Sequence, residues 1–137
     1  MSSDKISIII PNYNKGNFIG SAIESIQKNS YQNWELVIID DGSTDQSIEI
    51  LERFTEEDTR IKLFKQANQG GAQARNIGLK KITGKYFMFV DDDDFISPFC
   101  LENRLKMAKE YPDFISWIFP MQPFREGHPE EKLATWR

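Results

Sequence analysis

Cysteine and histidine are nearly missing from this sequence. Cys100 stands alone among 137 residues, so no disulfide can close within the chain and nothing points to an oxidising compartment. His128 is the single histidine and sits in a polar stretch, which argues against a histidine-built metal site or a Ser-His-Asp triad and leaves it a surface residue. No apolar run is long enough to cross a bilayer. The opening Met1-Ser2-Ser3-Asp4-Lys5 does not have the basic-then-apolar layout of a signal peptide. Excess positive charge is missing too. The net charge is −4, whereas a nucleic-acid binder normally presents a basic face. There is no internal repeat and no low-complexity segment. What remains is an ordinary globular composition, 39% hydrophobic and 28% charged, in a chain of one domain's length. A domain of this size buries roughly two-thirds of its unfolded surface and needs no staples.

The apolar residues recur with two periods. Ile6 to Ile10, Trp34 to Ile39, Ile61 to Phe64 and Tyr86 to Val90 read as strands. Pro11 is expected to end the first. Between them, Phe18, Ile19, Ala22, Ile23 and Ile26 keep helical spacing, as do Ile48, Leu51 and Phe54. Ser43 and Gln46 stand at capping-box spacing before the second of these helices. Gly70-Gly71 opens a third helix running to about Ile82, and Ser97-Pro98 opens a fourth that Pro112 ends. Phe114 to Phe119 is a candidate fifth strand, and from Pro120 onward the chain shows no periodicity. Strands that are apolar throughout, alternating with helices, predict a Rossmann-like three-layer α/β/α sandwich on a mainly parallel sheet. A sheet growing outward from strand one in both directions has the order 3-2-1-4. Its switch point lies between strands one and four, and ligands enter such sheets at the carboxyl ends of the strands there.

The unusual residues fall at those ends. Four consecutive aspartates, Asp91 to Asp94, follow strand four; Asp40-Asp41-Gly42 follows strand two; Pro11-Asn12-Tyr13-Asn14 follows strand one. Packed carboxylates raise one another's pKa unless a cation joins them, and Mg²⁺ typically combines one or two carboxylates with substrate phosphates. A metal–phosphate site is the natural expectation, with a solvated acidic turn as the plain alternative. Asp41 has the chemistry to accept a base N–H or a ribose hydroxyl, while an Asp-Gly turn with a serine cap would account for Gly42 and Ser43. Tyr13 suits stacking on a base, or packing over the sheet edge. Gly70-Gly71 suits close approach of an anion to a helix N-terminus. Arg75 suits a phosphate, or an ion pair with one of the acidic loops.

Taken together, Ser7 to Asn14, Glu35 to Asp45, Asn68 to Gly78 and Gly84 to Asp94 resemble the family 2 inverting glycosyltransferases of the GT-A fold. The resemblance spans roughly residues 5 to 115. It implies transfer of a sugar from a nucleotide-sugar to an acceptor hydroxyl with inversion, in polysaccharide or glycoconjugate synthesis. Asp91-Asp92-Asp93 matches the family's Asp-X-Asp position. Asp93, with Asp91, would hold Mg²⁺ or Mn²⁺, and Asp91 and Asp92 would face the ribose. Asp41 matches the acid that meets the base, with Asp40 beside it, and Pro11 and Tyr13 match the lip of the nucleoside pocket. Gly71 and Arg75 complete the expected donor site. UDP is the commonest donor nucleotide of the family, with GDP and dTDP as alternatives. The acceptor would be a saccharide, a lipid-linked oligosaccharide or a protein. The family's donors imply a cytoplasmic location, with peripheral association at the inner membrane face for lipid-linked acceptors.

One departure from the family pattern lies after Asp94, where no second acidic strand end follows. Glu126, Glu130 and Glu131 do not match the position of the family's general base. The expected organisation is therefore a donor-binding domain over residues 1–119 and an irregular tail over 120–137, with the acceptor-binding half absent. A non-catalytic nucleotide-sugar-binding module is the second reading. A phospho-receiver domain, the third, would need its acidic pair after strand one, where Pro-Asn-Tyr-Asn stands instead.

Overall fold

The computed structural model describes residues 4–116, together with the backbone of two short strands at 124–125 and 128–132. The chain divides into two compact units, Met1–Met107 and Ala108–Arg137. The first unit holds β1 (Ile6–Asn12), α1 (Ile19–Gln27), β2 (Trp34–Asp40), α2 (Ser47–Glu57), β3 (Ile61–Lys65), α3 (Gly71–Leu79) and β4 (Tyr86–Phe89). Helix α4 (Cys100–Glu110) follows. The four strands form one parallel sheet in the order β3-β2-β1-β4, as the alternation of elements predicts.

β2 is buried along its whole length, which is why its sequence shows no alternation. Its residues turn to the two faces by turns. Leu36 and Ile38 join Ile8 and Ile10 of β1 beneath α1, α2 and α4, which contribute Ile19, Ala22, Ile23 and Ile26, then Leu51, then Leu101 and Leu105. Val37 and Ile39 face the other way, onto Ala74 of α3 with Phe64, Ile77 and Ile82 around it. The helices therefore cover both faces, three on one and one on the other.

Pro11 does not end β1. The strand runs on to Asn12, with Pro11 paired in register to Ile39. Lys5, just before β1, and residues 7 and 9 within it direct their backbone groups toward β4, where the carbonyls of Lys5 and Ile9 accept from Tyr86 and Val90. Pro11 points the same way, but pairing with β4 stops at Ile9, so its missing N–H removes no ladder bond. The capping box does not form either. α2 begins at Ser47, and its backbone N–H donates to Asp45 Oδ1 (2.9 Å), leaving Ser43 to other partners.

α4 is capped from outside its own sequence. The buried Asn29 accepts from the Leu101 N–H (3.1 Å) and donates to the Ser97 carbonyl (2.8 Å). The helix ends at Glu110, two residues before Pro112, because the residue ahead of a proline is driven out of the helical region. In the second unit, Phe114 to Ser116 carry no strand, and residues 117–119 of the expected fifth strand lie outside the described residues. The tail expected to be irregular contains an antiparallel pair, β5 (Phe124–Arg125) and β6 (His128–Lys132). The run His-Pro-Glu-Glu-Lys has no apolar alternation by which a strand could have been read.

Candidate functional site

The cleft at the carboxyl ends of β1, β2 and β4 has a volume of about 500 Å³. The loop after β1 is built by division of labour. Asn12 Nδ2 donates to Asp40 Oδ1 (2.9 Å) and to Ser43 Oγ (3.2 Å). Asn14 takes a left-handed conformation, φ 52°, which asparagine tolerates better than most residues. Its Oδ1 accepts from the Thr44 and Asp45 amides, and its own N–H donates to Ser43 Oγ. The two asparagines thus pin the loop to the β2 turn. Tyr13, held between them, is left half exposed at the cleft.

Asp40 and Asp41 have separate roles. Asp40 is buried and accepts from Asn12, from the Ser43 hydroxyl (2.6 Å) and from the Ser43 amide (3.0 Å). It does not line the cleft; it fixes the turn that does. Asp41 lines the cleft, and its carboxylate accepts from Gln66 Nε2 (2.7 Å), the Gln69 amide (2.8 Å) and the Gly70 amide (2.9 Å). Burial pushes the Asp41 carboxyl up, but these three hydrogen bonds outweigh it and hold the group below its usual range. Gly42, at φ 80°, is required after the two aspartates, because a Cβ there would stand 2.9 Å from the Asn68 amide nitrogen. Asn68 in turn donates from Nδ2 to the Asp41 carbonyl (3.1 Å). Gly70, at φ 96°, and Gly71 carry the chain into α3 at the cleft wall.

The tract after β4 supplies the negative charge. Carboxylate oxygens of Asp91, Asp93 and Asp94 lie within 4.8 Å of one another, an all-oxygen set of the kind hard divalent cations take. Asp92 points elsewhere and accepts from the Tyr13 amide (3.0 Å), tying the β4 loop to the β1 loop. Burial raises the Asp92 carboxyl; the Tyr13 N–H opposes this and the charge of Asp93 reinforces it. Asp94 is raised by burial and then by the charges of Asp93 and Asp91. Two cations answer the tract. Arg75 donates to Asp91 Oδ1 (3.0 Å), and Lys15 Nζ stands 3.5 Å from Asp93 Oδ2. Both pairs are substantially exposed and weak as stabilising contacts.

The expected residues Pro11, Tyr13, Asp41, Gly71, Arg75, Asp91, Asp92 and Asp93 therefore line one cleft. Lys15 and Asn68 also line it, and Asp94 joins the acidic set. Lys15 carries no sequence signal beyond following the Pro-Asn-Tyr-Asn run. Asn68 sits two residues before the glycine pair, and Asp94 completes the aspartate run. Glu126, which does not match the position of the family's base, lies outside the described residues, and only the backbone of β6 places Glu130 and Glu131.

The sequence profile of glycosyl transferase family 2 matches residues 7–134. The chain belongs to glycosyl transferase family 2. An uncharacterized glycosyltransferase of Haemophilus influenzae is 51% identical over 106 residues, which are 77% of this chain and 42% of that protein. Glycosyltransferase GlyG of Streptococcus pneumoniae is 39% identical over 109 residues, 79% of this chain and 36% of GlyG. The fold matches S. aureus TarS 1–349, solved in complex with UDP-GlcNAc, with a TM-score of 0.73 and 32% identity over 79% of this chain and 32% of that one. It also matches the mannosyltransferase PcManGT of Pyrobaculum calidifontis, solved with GDP-Man and Mn²⁺, with a TM-score of 0.62 and 26% identity. That match covers 66% of this chain and 28% of PcManGT. The chain thus spans less than half the length of these family 2 relatives and neighbours. No described helix is long and apolar enough to cross a membrane.

Proposed function

We propose that this chain forms the donor-binding part of a metal-dependent, inverting glycosyltransferase that uses a nucleoside-diphosphate sugar, with UDP as the nucleotide. The observation that carries the reading is the meeting of the Asp91, Asp93 and Asp94 carboxylates beside a cleft walled by Tyr13, Asp41, Asn68 and Arg75. The donor set fits a hard divalent ion. Asp93 and Asp91, with Asp94, would hold Mg²⁺ or Mn²⁺, and a neighbour solved with GDP-Man and Mn²⁺ supports that choice. When bound, such an ion neutralises charge on the diphosphate leaving group. Asp41 and Asn68, which line the cleft, would meet the base, and Tyr13 would stack on it. Asp92 keeps the β1 loop, and with it Tyr13, against the metal loop. Arg75 and Lys15, now paired with acids of the tract, are near enough to turn to phosphate oxygens once a cation occupies those acids.

Inversion requires a base that takes the acceptor proton on the face opposite the leaving group. Donor binding is the step the cleft supports for this chain, with a saccharide, lipid-linked or protein acceptor for the whole reaction. The TarS complexes with UDP and UDP-GlcNAc favour a uridine donor over GDP or dTDP. Calorimetric titration with UDP, with and without Mn²⁺, tests the reading. Binding that strengthens with Mn²⁺ supports it, and affinity indifferent to the metal overturns it. An acceptor assay run beside it separates a complete enzyme from a binding module.

A further inference from the structure

The hydrogen bonds to the Asp41 carboxylate are unevenly shared between its oxygens. A carboxylate offers about four acceptor positions, two on each oxygen. Oδ1 accepts from Gln66 Nε2 (2.7 Å) and from the Gln69 amide (2.8 Å), whereas Oδ2 accepts only from the Gly70 amide (2.9 Å) among the described residues. Oδ1 is therefore full, and the position left open belongs to Oδ2. Two of the three donors are backbone amides at the entry to α3, and the third is a side chain. Gln66 follows β3, and its amide donates to the Asp40 carbonyl (2.9 Å), which sets the residue beside Asp41, behind a cleft it does not itself line. Its Oε1 is buried and finds no partner among the described residues. An acceptor left buried and unsatisfied costs stability rather than adding to it. The side-chain amide is thus turned to serve Asp41 while its own oxygen goes unmet.

We propose that Gln66 is a positioning residue that restricts Asp41 to one incoming N–H, and so selects an imide base, uracil or thymine, over guanine. The proposal rests on the donor-site reading above and adds a reason for its base preference. Uracil and thymine carry one ring N–H between two carbonyls, which the open position of Oδ2 can accept. Guanine carries two N–H groups side by side, one on the ring and one on the exocyclic amine, and pairs with a carboxylate through both oxygens. Its second donor would meet an Oδ1 already occupied by Gln66 and Gln69 and would go unpaired, which is costly in a desolvated site. Adenine and cytosine would set an unprotonated ring nitrogen against the carboxylate. Removing the Gln66 donor reopens a position on Oδ1, while the amides of Gln69 and Gly70 still hold the carboxylate in place.

Calorimetry of the full chain with Mn²⁺ tests this, using UDP, GDP and UDP methylated at N3 of uracil. The parent is expected to bind UDP more tightly than either of the others, by about tenfold or more. Gln66→Met keeps the length of the side chain and removes its N–H. It should bind GDP more tightly than the parent does, so that the preference for UDP over GDP falls about tenfold, with a melting temperature near the parent's. Gln66→Lys, which returns a donor to Oδ1, should restore the preference. A role in folding alone would weaken both nucleotides alike and leave their ratio unmoved. A parent that does not bind UDP overturns the donor-site reading itself, and the proposal with it. A parent that binds UDP but takes GDP or the N3-methyl compound equally well overturns the proposal without any variant. An unchanged ratio in folded Gln66→Met, or in Gln66→Leu if the methionine variant does not fold, overturns the role of Gln66 while the donor-site reading stands.

Discussion

Glu35 lies near the start of β2, at the end of the sheet away from the cleft, and its carboxylate is buried. Ser7 Oγ donates to it (2.6 Å), as do the Thr83 amide (2.5 Å), the Thr83 hydroxyl and Lys62 Nζ (3.0 Å), while Lys5 Nζ stands 3.4 Å away. One side chain thereby joins β1, β2, β3 and the approach to β4. Burial pushes its pKa up, but the donors outweigh burial and lower it from an ordinary 4.5 to about 2. At about 1.4 kcal/mol per pKa unit, a shift of that size corresponds to about 3 kcal/mol. The depressed group stabilises the fold above its unfolded pKa of 4.5, and that stabilisation drains away as pH falls toward 2. Replacing Glu35 with Gln keeps the shape and removes the charge. Urea unfolding of parent and variant, run in parallel from neutral pH downward, should show the parent more stable by about 3 kcal/mol at pH 7. The gap should narrow through the interval from 4.5 to 2. Other carboxylates titrate in both proteins and cancel in the difference. A gap that stays constant over that interval would refute the reasoning.

Asp93→Ala should abolish Mn²⁺-dependent UDP binding while leaving the fold intact, since removing one of several like charges relieves repulsion; calorimetry with equal metal-dependent affinity in parent and variant would sink the metal assignment. Asp41→Ala should weaken UDP binding without removing its metal dependence, and should also cost about 1–3 kcal/mol in denaturant, because the Gln69 and Gly70 amides lose their acceptor. Asp41→Asn, which keeps one acceptor oxygen, should recover part of that stability. Ile38→Ala in the centre of β2 should cost about 2–5 kcal/mol in the same measurement, and a loss below about 1 kcal/mol would contradict the packing described. Asn29→Ala should cost about 1 kcal/mol by uncapping α4, visible as a lower melting temperature.

The sheet was legible because its signal is redundant. Four apolar runs separated by helical spacing permit few topologies, and the parallel order 3-2-1-4 follows from the commonest of them. What failed were inferences that treated a residue as acting on its immediate neighbours. Pro11 reads as a stop until the absence of β4 beside it is known. Ser43 and Gln46 have the spacing of a capping box, yet Ser43 is engaged by Asn12, Asn14 and Asp40, two of which come from β1 and its loop. Asn29 caps a helix more than sixty residues further along the chain, a relation no local window holds. The site was legible for a different reason. Strand ends converge in this kind of sheet, so residue type and position together sufficed to bring Tyr13, Asp41 and Asp91 to Asp93 to one cleft. Lys15 escaped notice because its significance is the 3.5 Å to Asp93, across the gap between two loops.

The acids around the cleft fall into two groups, and the division locates the ligand better than any single residue does. Asp41 and Asp45 are each held by several donors from the protein, and in both the hydrogen bonds outweigh burial and pull the pKa down. Such carboxylates act as cross-links between loops; Asp41, which accepts three hydrogen bonds from the protein, keeps a fourth acceptor position at the cleft. Asp92 and Asp94 behave in the opposite way, raised by burial and by neighbouring negative charge. A cluster whose own members oppose one another's ionisation is relieved by a nearby cation, and perturbed groups of this sort gather at functional sites. The cross-linking acids come from the β2 turn, the opposed ones from the end of β4, and the amide of Tyr13 bridges the two sides through Asp92. The geometry is that of a preformed cradle with a concentration of negative charge at one end. If the proposed function holds, a nucleoside diphosphate entering with a divalent ion would balance that charge, and free uridine, which brings neither phosphate nor metal, should bind far more weakly than UDP with Mn²⁺. Equal affinity for the two, measured by calorimetry on the same preparation, would remove the tract after β4 from the binding site.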